Sequence, residues 1–510
     1  MTTSNICILI SIIAYLLLVI AIGVVYSRKN KTTDDFYLGG RKLGPFVTAM
    51  SAEASDMSSW LLMGLPGVAY ATGLADAFWT AIGLAIGTYV NWLIVAKRLR
   101  KYTVKCNNST TIPVFFSNRY RDDKKILSVI AAVVIIIFFV PYTASGFAAC
   151  GKLFASLFGM DYFTAMIISA VVIVGYTALG GFLAASTSDF MQSIIMTIAI
   201  FVVLGYGVVT AGGFDAVMTN AQSLAGYFSL TQIHDPATGT AGAYGIITIF
   251  SMLAWGLGYF GMPHVLLRFM AIEDPNKLKL SRRIATVWVF ISLGVAIFIG
   301  IVGNAMTKVG VIPSLDDPET IIIAVSTVIS QHGIVPALIA GLILAGILAA
   351  TMSTADSQLL AASSSASQNI IKEVCFKDLS DKAAMVIARV TVVIISIIAV
   401  FIAKNPDSSV FEIVSFAWAG FGAAFGPVML LALFWKRSNK WGALTGMFTG
   451  GAMVFIWKFL VKPLGGAWNI YELLPAFLVA LAVNVVVSML TAAPTQDMVD
   501  EFEAVKAECK

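Results

Sequence analysis

The sequence predicts an all-α protein that crosses a membrane many times. Of its 510 residues, 58% are hydrophobic and only 12% are charged, about half of the roughly 25% charged share of soluble proteins. A spanning helix needs about 20 mostly apolar residues, and we count thirteen such stretches. They lie at 6–27, 44–71, 74–96, 126–151, 162–183, 189–211, 241–262, 284–306, 335–362, 383–403, 411–435, 439–461 and 472–491. This composition excludes a soluble enzyme, a disordered protein and a nucleic-acid-binding protein.

Basic residues are concentrated in alternate loops of the predicted bundle. Of the 33 Lys and Arg residues, 28 lie in the tail or in loops 28–42, 97–125, 268–283, 372–389 and 436–440. Loops rich in Lys and Arg face the cytoplasm. This places the N-terminus outside and the C-terminus inside, as an odd number of helices requires. We predict a single membrane domain over 1–492 and a cytoplasmic tail over 493–510.

The second apolar stretch has a polar middle, which contains Ser51, Glu53, Ser55, Asp56 and Ser58. A charged side chain near the bilayer centre costs from about 3 to more than 10 kcal/mol. Such residues persist where they face a cavity or a bound ion. Ser, Gly and Pro also weaken the helix here. The pattern therefore predicts a helix broken at mid-membrane, which is typical of ion and solute sites in secondary transporters.

The seventh stretch has aromatic residues beside glycines. Trp255, Tyr259 and Pro263 recur every four residues and share one helix face, while Gly256, Gly258 and Gly261 thin the rest. We interpret this face as an aromatic wall beside an unwound segment, suited to an apolar ring with a polar or cationic edge. The alternative is an interfacial aromatic belt.

The ninth stretch offers a surface of neutral oxygens. Ala350, Ser353 and Thr354 lie at i, i+3 and i+4, so they share one face. Hard cations such as sodium prefer carbonyl and hydroxyl oxygens. The hydroxyls could equally bond to the preceding helical turn. Asp356 adds a second carboxylate at membrane depth. Asp189, at the start of the sixth stretch, could line an ion exit route or cap its helix.

The two interrupted stretches lie five helices apart. Two five-helix units separated in this way enter the membrane with opposite orientations, which is the inverted-repeat pattern of alternating-access carriers. We predict repeats over helices 2–6 (residues 44–211) and helices 7–11 (residues 241–435). The five cysteines show no pairing pattern, and three His residues offer little for a metal site. No enzyme motif and no organic cofactor are predicted.

Five sequence strings resemble the sodium/solute symporter family, and the similarity extends from about Asp35 to Pro494. The seventh-helix string favours the branch of the family that carries proline. The strings are LGGRKLGPFVTAMSA, SAEASDMSSWLLMGLPG, WGLGYFGMPHVLLRFMA, ILAATMSTADSQLL and VSFAWAGFGAAFGPV. The resemblance implies a leucine-transporter-type fold and import of L-proline with sodium through the cell membrane. The predicted partners are thus sodium, L-proline and lipid, with no nucleic acid, and the oligomeric state is left open.

The resemblance also implies roles for individual residues. The implied sodium ligands are the carbonyls of Ala54, Met57 and Ala350 and the hydroxyls of Ser353 and Thr354, with Asp56 in support. The implied proline pocket comprises Ser58, Trp60, Gly64, Tyr142, Trp255, Tyr259 and Pro263. Arg41 and Asp189 match polar positions on the cytoplasmic side, and we assign Glu53 to the same coupling group.

Two residues depart from the family pattern. Glu53 and Ser59 stand where glycine is common in the proline carriers. A carboxylate at Glu53 could raise cation affinity, bind a proton or point into a polar crevice, and Ser59 could narrow the pocket. Alternatives to proline import are a sodium- or proton-coupled symporter of another small solute, a solute sensor and a channel.

Overall fold

The computed structural model is almost entirely helical and describes residues 2–27, 37–375 and 380–509. The predicted basic loops 28–42 and 372–389 lie partly outside these residues, and Lys510 lies wholly outside them. The α-helices of the described part are α1 (Thr3–Ser27), α2 (Pro45–Ser59), α3 (Leu65–Thr72), α4 (Leu74–Val90), α5 (Ala96–Lys105), α6 (Ile112–Arg119), α7 (Ile126–Phe158), α8 (Tyr162–Thr210), α9 (Phe214–Ser223), α10 (Ile246–Leu253), α11 (Pro263–Ala271), α12 (Leu278–Lys308), α13 (Ile321–Ser330), α14 (Ile334–Ser364), α15 (Asp381–Ile402), α16 (Val410–Phe434), α17 (Lys440–Ile456), α18 (Leu473–Leu490) and α19 (Gln496–Cys509).

Within the described ranges, ten helices are long and apolar enough to cross a membrane, and Ile246–Phe260 with Pro263–Ala271 forms a bent eleventh. The predicted second span is the interrupted pair α2 and α3, and the predicted fifth contains the shorter apolar helix Tyr162–Gly175. The all-α, membrane-spanning architecture is confirmed. The count of thirteen, the orientation and the repeat boundaries stay predictions.

Several boundaries differ from those read from the apolar runs. The helices of the fourth and eighth apolar stretches, α7 and α12, extend past those stretches at one or both ends. A helix can continue into water once its polar face is solvated. The fifth and sixth stretches form one element, α8, with a break at Gly181 (φ 68°, ψ −176°). The seventh apolar stretch becomes helical only at the start of α10, because its first residues belong to an antiparallel hairpin formed by β1 (Gln232–Asp235) and β2 (Thr240–Ala243).

The helix α14 lies at the centre of the bundle, where it packs against α1, α2, α7 and α8. Its run of Ala, Gly and Ser residues permits close approach of helix backbones. A side-chain carbon at Gly346 would lie only 3.0 Å from the Cβ of Ala199 on α8. This central position brings the hydroxyls of α14 to the broken helix α2.

The predicted tail is an ordered helix rather than a free end. The helix α19 docks against α5, with Lys105 paired to Glu508 at 2.7 Å and Arg121 to Glu501 at 2.9 Å. Phe502 of α19 is buried.

Hydrogen bonds from the Thr164 amide and hydroxyl lower the pKa of Asp161 in the loop before α8.

Candidate functional site

The helix α2 breaks at Ser58, in the middle of the predicted second span. Ser58 has φ 49° and ψ −170°, a backbone conformation that is uncommon for a residue other than glycine. The amide of Trp60 then donates to the Ser58 Oγ at 3.1 Å. A π-helical turn over Trp60–Gly64 leads into α3. The predicted break is confirmed, and it leaves backbone carbonyls available at mid-span.

Predicted sodium ligands from α2 and α14 meet at this break. The Ser353 Oγ lies 2.8 Å from the Ala54 carbonyl oxygen and 3.1 Å from the Ala350 carbonyl oxygen. The Thr354 Oγ1 lies 3.1 Å from the same Ala350 oxygen. The two hydroxyls therefore lie beside the carbonyl oxygens of the predicted surface, and they also bond to the preceding turn of their own helix. The fifth predicted ligand, the Met57 carbonyl, accepts the Trp60 amide across the break.

Asp56 links the broken helix to two neighbouring elements. Its Oδ2 accepts a hydrogen bond from the Tyr259 hydroxyl at 2.6 Å. Its backbone carbonyl accepts one from the Tyr142 hydroxyl at 3.0 Å. All three side chains are buried. Two residues of the predicted pocket thus donate hydrogen bonds to Asp56, Tyr259 to its carboxylate and Tyr142 to its backbone carbonyl.

An aromatic cluster lies on the other side of the break. The ring centroids of Trp60 and Trp255 are 5.5 Å apart, and Phe411 lies 5.6 Å from Trp60 and 5.4 Å from Trp255. Tyr471 stacks on Trp255 at 5.0 Å. Trp255 is only 2% exposed and Tyr259 1%, so the aromatic-belt interpretation is wrong.

Three aromatic residues of this cluster were missed by the sequence reasoning: Phe411 and Trp418 on α16, and Tyr471 before α18. The Trp418 indole donates to the Trp255 carbonyl at 2.8 Å, and its ring meets that of Tyr259 edge-on at 5.0 Å. Single aromatics in otherwise apolar spans look the same whether they face lipid or the core. Trp418 does lie within the family string VSFAWAGFGAAFGPV, but no sequence signal distinguishes Phe411 or Tyr471.

The remaining predicted pocket residues lie around the two breaks. Gly64 closes the π-helical turn against Trp60 and Phe411. Pro263 begins α11 after a bend of 44° between Ile246–Phe260 and Pro263–Ala271. A narrow crevice beside the oxygen surface is lined by Ser58, Ser59, Tyr142, Ser145, Gly146, Thr351, Thr354, Ala355 and Gln358. The structure therefore brings the two predicted groups of residues, cation and solute, next to each other.

Asp189 belongs to a buried ion pair. Its Oδ2 accepts the Ser51 hydroxyl at 2.6 Å and pairs with Arg268 at 3.1 Å. Arg268 also donates to Ser357 at 2.5 Å, and Ser357 donates to Asp356 at 3.2 Å. Asp189 lies inside the helical run that follows the α8 break. The capping interpretation is therefore wrong, because a cap must precede its helix.

Arg268 was assigned to a basic loop, but it is only 1% exposed. All nine residues of α11, which begins after the break before Pro263, are buried, and Arg268 lies in its last turn. The sequence did not indicate this burial, because Arg268 is the first basic residue after the seventh apolar stretch and therefore begins the predicted loop 268–283. The loop prediction for Arg268 is wrong.

Arg41 and Glu53 occupy separate positions. Arg41 donates to the carbonyls of Met270 at 2.7 Å and Ser109 at 2.8 Å, so it braces the loop after α5 against the end of α11. Glu53 is 1% exposed, and its Oε1 accepts the Trp92 indole at 2.9 Å. Glu53 therefore lies inside the bundle between α2 and the π-helical turn Asn91–Val95.

At the opposite end of the bundle, Glu319 anchors the first turn of α16. Its carboxylate pairs with Lys152 at 2.8 Å and accepts the amides of Val410 and Phe411, each at 3.0 Å. A cavity of about 610 Å³ lies beside it and extends to Gly64. This anchor fixes the position of the Phe411 ring in the aromatic cluster.

The sequence pattern of the sodium:solute symporter family matches residues 36–450. The high-affinity proline transporter PutP of Bacillus subtilis is 42% identical over 481 residues, covering 94% of this chain and 98% of that protein. The sodium/proline symporter 2 of Staphylococcus saprophyticus is 39% identical over 504 residues, covering 98% and 95%. The chain belongs to the sodium:solute symporter family.

The fold agrees with this family membership. A Na+-coupled sialic acid symporter, solved in a substrate-bound, outward-open state, matches with a TM-score of 0.77 at 18% identity, covering 96% of this chain and 99% of that one. This likeness confirms the predicted leucine-transporter-type fold. As a member of this symporter family with many spanning helices, the protein is a multi-pass protein of the cell membrane.

Proposed function

We propose that this protein is a secondary active transporter that imports L-proline together with sodium. The observation that carries the proposal is the meeting of the Ser353 and Thr354 hydroxyls with the Ala54 and Ala350 carbonyls at the break in α2. These hard, neutral oxygens suit sodium. The relatives named for proline transport support the choice of solute. A membrane transporter of this kind is not an enzyme.

In this proposal, sodium binds to the oxygens of Ala54, Met57, Ala350, Ser353 and Thr354, and Asp56 stabilises the broken helix. Bound sodium holds α2 against α14 and so favours one state of the carrier. Asp56 also holds Tyr142 and Tyr259, so cation binding shapes the solute pocket. Coupling is then a difference in affinity between states, and it is reciprocal.

The proposed solute pocket lies between the two broken helices. Its residues are Ser58, Trp60, Gly64, Tyr142, Trp255, Tyr259 and Pro263, to which we add Phe411 and Trp418. Aromatic faces suit an apolar ring and a cationic amine, and L-proline presents both. We propose that the second to sixth and the seventh to eleventh predicted spans form the two repeats (44–211 and 241–435). We also propose that Arg41 and Asp189 act on the cytoplasmic pathway.

Uptake of labelled L-proline by proteoliposomes tests the proposal directly. We expect an inward sodium gradient to drive accumulation and a proton gradient alone to drive none. A panel of unlabelled small solutes should compete in proportion to their resemblance to proline. Accumulation under a proton gradient alone, or stronger competition by an unrelated solute, would contradict the proposal.

We expect Thr354→Ala to raise the sodium concentration for half-maximal uptake by about tenfold. A hydrogen bond or ion contact of this kind is worth about 1–1.5 kcal/mol, and about 1.4 kcal/mol is tenfold in affinity. Proline affinity at saturating sodium should change little. Thr327→Ala is a matched control, because Thr327 bonds its own helical turn at 2.9 Å outside the site. An unchanged sodium half-saturation in Thr354→Ala would sink the assignment.

We expect Gly258→Ala to weaken proline binding by roughly tenfold or more. A methyl group at Gly258 would overlap the Trp418 ring, which packs on Tyr259, and overpacking costs about 1–3 kcal/mol. Gly205→Ala is the matched control, because nothing lies within 4 Å of its added carbon. Equal proline affinities in the two variants, measured by equilibrium binding, would show that the Trp418 position does not matter.

A further inference from the structure

We propose that Glu53 and Asp56 form a second cation site, separate from the Ser353 and Thr354 oxygens, and that it binds a second sodium ion. This inference rests on the proposed sodium coupling and extends it. Glu53 is one of the two residues that depart from the family pattern. Its place in the structure gives it a neighbouring carboxylate, Asp56, and a hydrogen-bond donor, Trp92, which follows Asn91 with its unpaired amide oxygen in the chain.

The first support is the charge balance of the buried carboxylates. Seven acidic side chains are buried in the described part of the chain, and five of them have a basic group nearby. The pairs are Lys440 with Asp122 at 2.6 Å, Lys152 with Glu319 at 2.8 Å, Lys462 with Glu472 at 3.4 Å, Arg268 with Asp189 at 3.1 Å and, through Ser357, Arg268 with Asp356.

Glu53 and Asp56 are the exceptions. Among the described residues, no ion pair reaches either of them, and the two carboxylates lie three residues apart on the same helix. Burying a charge is costly unless an opposite charge compensates it. Such a pair is neutralised either by protonation or by a bound cation. A protonated carboxyl would need an acceptor for its O–H, and the free oxygens of these two side chains have none, which favours the cation.

The geometry leaves one free oxygen on each carboxylate. Glu53 and Asp56 are three residues apart on α2, so they share a helix face. Trp92 donates to the Glu53 Oε1 at 2.9 Å, and Tyr259 donates to the Asp56 Oδ2 at 2.6 Å. The Glu53 Oε2 and the Asp56 Oδ1 are buried and have no hydrogen-bond partner. Each side chain is thus oriented by one oxygen while the other is available.

A second and independent observation comes from Asn91. This side chain is fully buried, and its Nδ2 donates to the Tyr259 carbonyl at 3.1 Å. Since that bond identifies the amide end, the Oδ1 is the oxygen without a partner. Asn91 also opens the π-helical turn that carries Trp92, and such turns are frequent at functional sites.

Two anionic oxygens and a neutral amide oxygen are ligand types that a hard cation prefers, and in this proposal they bind the ion together. They come from α2 and from the turn Asn91–Val95, and both are tied to the 3-10 helix Ala254–Phe260 through Tyr259. An ion there would bridge α2 to the second broken helix. Its binding would therefore stabilise a particular arrangement of both interrupted spans.

Counting bound sodium on the purified protein tests the inference. With radiolabelled sodium and no proline, we expect two ions per wild-type chain and one per Glu53→Gln chain. Glu472→Gln is the matched control, because Glu472 is equally buried but has Lys462 as its basic partner, and it should bind two. Reversal potentials in proteoliposomes should give the same two and one ions per proline.

Several results would overturn the second site. These are one ion per wild-type chain, two per Glu53→Gln chain, or a reversal potential that follows pH in place of the second sodium ion. If Glu53→Gln does not fold, Trp92→Phe keeps the charge and should weaken only the second ion several-fold; unchanged affinity for both ions would also overturn the site. Normal uptake with one bound ion refutes this inference alone, whereas two bound ions without proline uptake refute the proposed substrate alone.

Discussion

Asp56→Asn is expected to raise the sodium concentration for half-maximal uptake by about 10- to 100-fold. Hydrogen bonds to charged groups are worth about 1.5–3 kcal/mol, and the substitution removes both the charge beside the break and the charged acceptor of Tyr259. Proline affinity should fall as well, because Tyr259 belongs to the proposed pocket. Sodium titrations of proline uptake in proteoliposomes measure both effects.

Asp76→Asn provides the control for that experiment. Asp76 likewise accepts a tyrosine hydroxyl, from Tyr244 at 2.5 Å, but it lies at the start of α4 and away from the break. We expect its sodium half-saturation to stay within about twofold of wild type, because Asp76 lies away from the proposed cation and solute residues and distant sites act independently. Equal shifts in the two variants would indicate a general effect of lost carboxylates.

Arg268→Met is expected to destabilise the protein by about 3–5 kcal/mol. Removing one partner of a buried ion pair leaves an uncompensated charge, and here Asp189 and Asp356 both depend on the same guanidinium. The thermal midpoint of the purified protein in detergent should fall by several degrees. Arg268→Lys should fall less, because it keeps the charge but loses the forked donor geometry.

A double-mutant cycle distinguishes this cause from lost packing. Asp189→Asn removes one of the stranded charges, so Arg268→Met with Asp189→Asn should be more stable than Arg268→Met alone. Coupled neighbours typically show interaction energies of about 0.5–3 kcal/mol. Strict additivity of the two substitutions would contradict the shared ion pair.

The local chemistry of the site could be predicted from the sequence in large part. Membrane-depth carboxylates, the weak helix around Ser58 and the i, i+3, i+4 spacing of Ala350, Ser353 and Thr354 are local features, and each predicted a local structure. The break in α2 is confirmed by the backbone at Ser58. Its physical reason is that a charged, Ser-rich segment cannot remain an ordinary lipid-facing helix. The resemblance to the family supplied the individual residue roles.

Long-range pairing could not be predicted in the same way. Phe411, Trp418 and Tyr471 reach Trp255 from distant segments. The family string that contains Trp418 does not show which residue it contacts, and nothing in the local sequence of Phe411 or Tyr471 distinguishes them from lipid-facing aromatics. Arg268 appeared to be a loop residue because the inward displacement of α11 depends on packing around a backbone break. Helix ends also differ from the predicted bounds, because an apolar run shows which residues lie in the bilayer and does not show where the helix begins or ends.

The sequence by itself determined the membrane class, the broken helices and the scarcity of charge within the bundle. Those properties follow from composition and local spacing, because the bilayer tolerates only apolar helices and a few compensated charges. Only the tertiary structure decided how each buried charge is compensated. Arg268 meets Asp189 and Lys152 meets Glu319 across distant segments, whereas Glu53 and Asp56 meet no basic side chain among the residues described. Partners for a buried charge come from whichever helices pack beside it, and that is fixed by the fold.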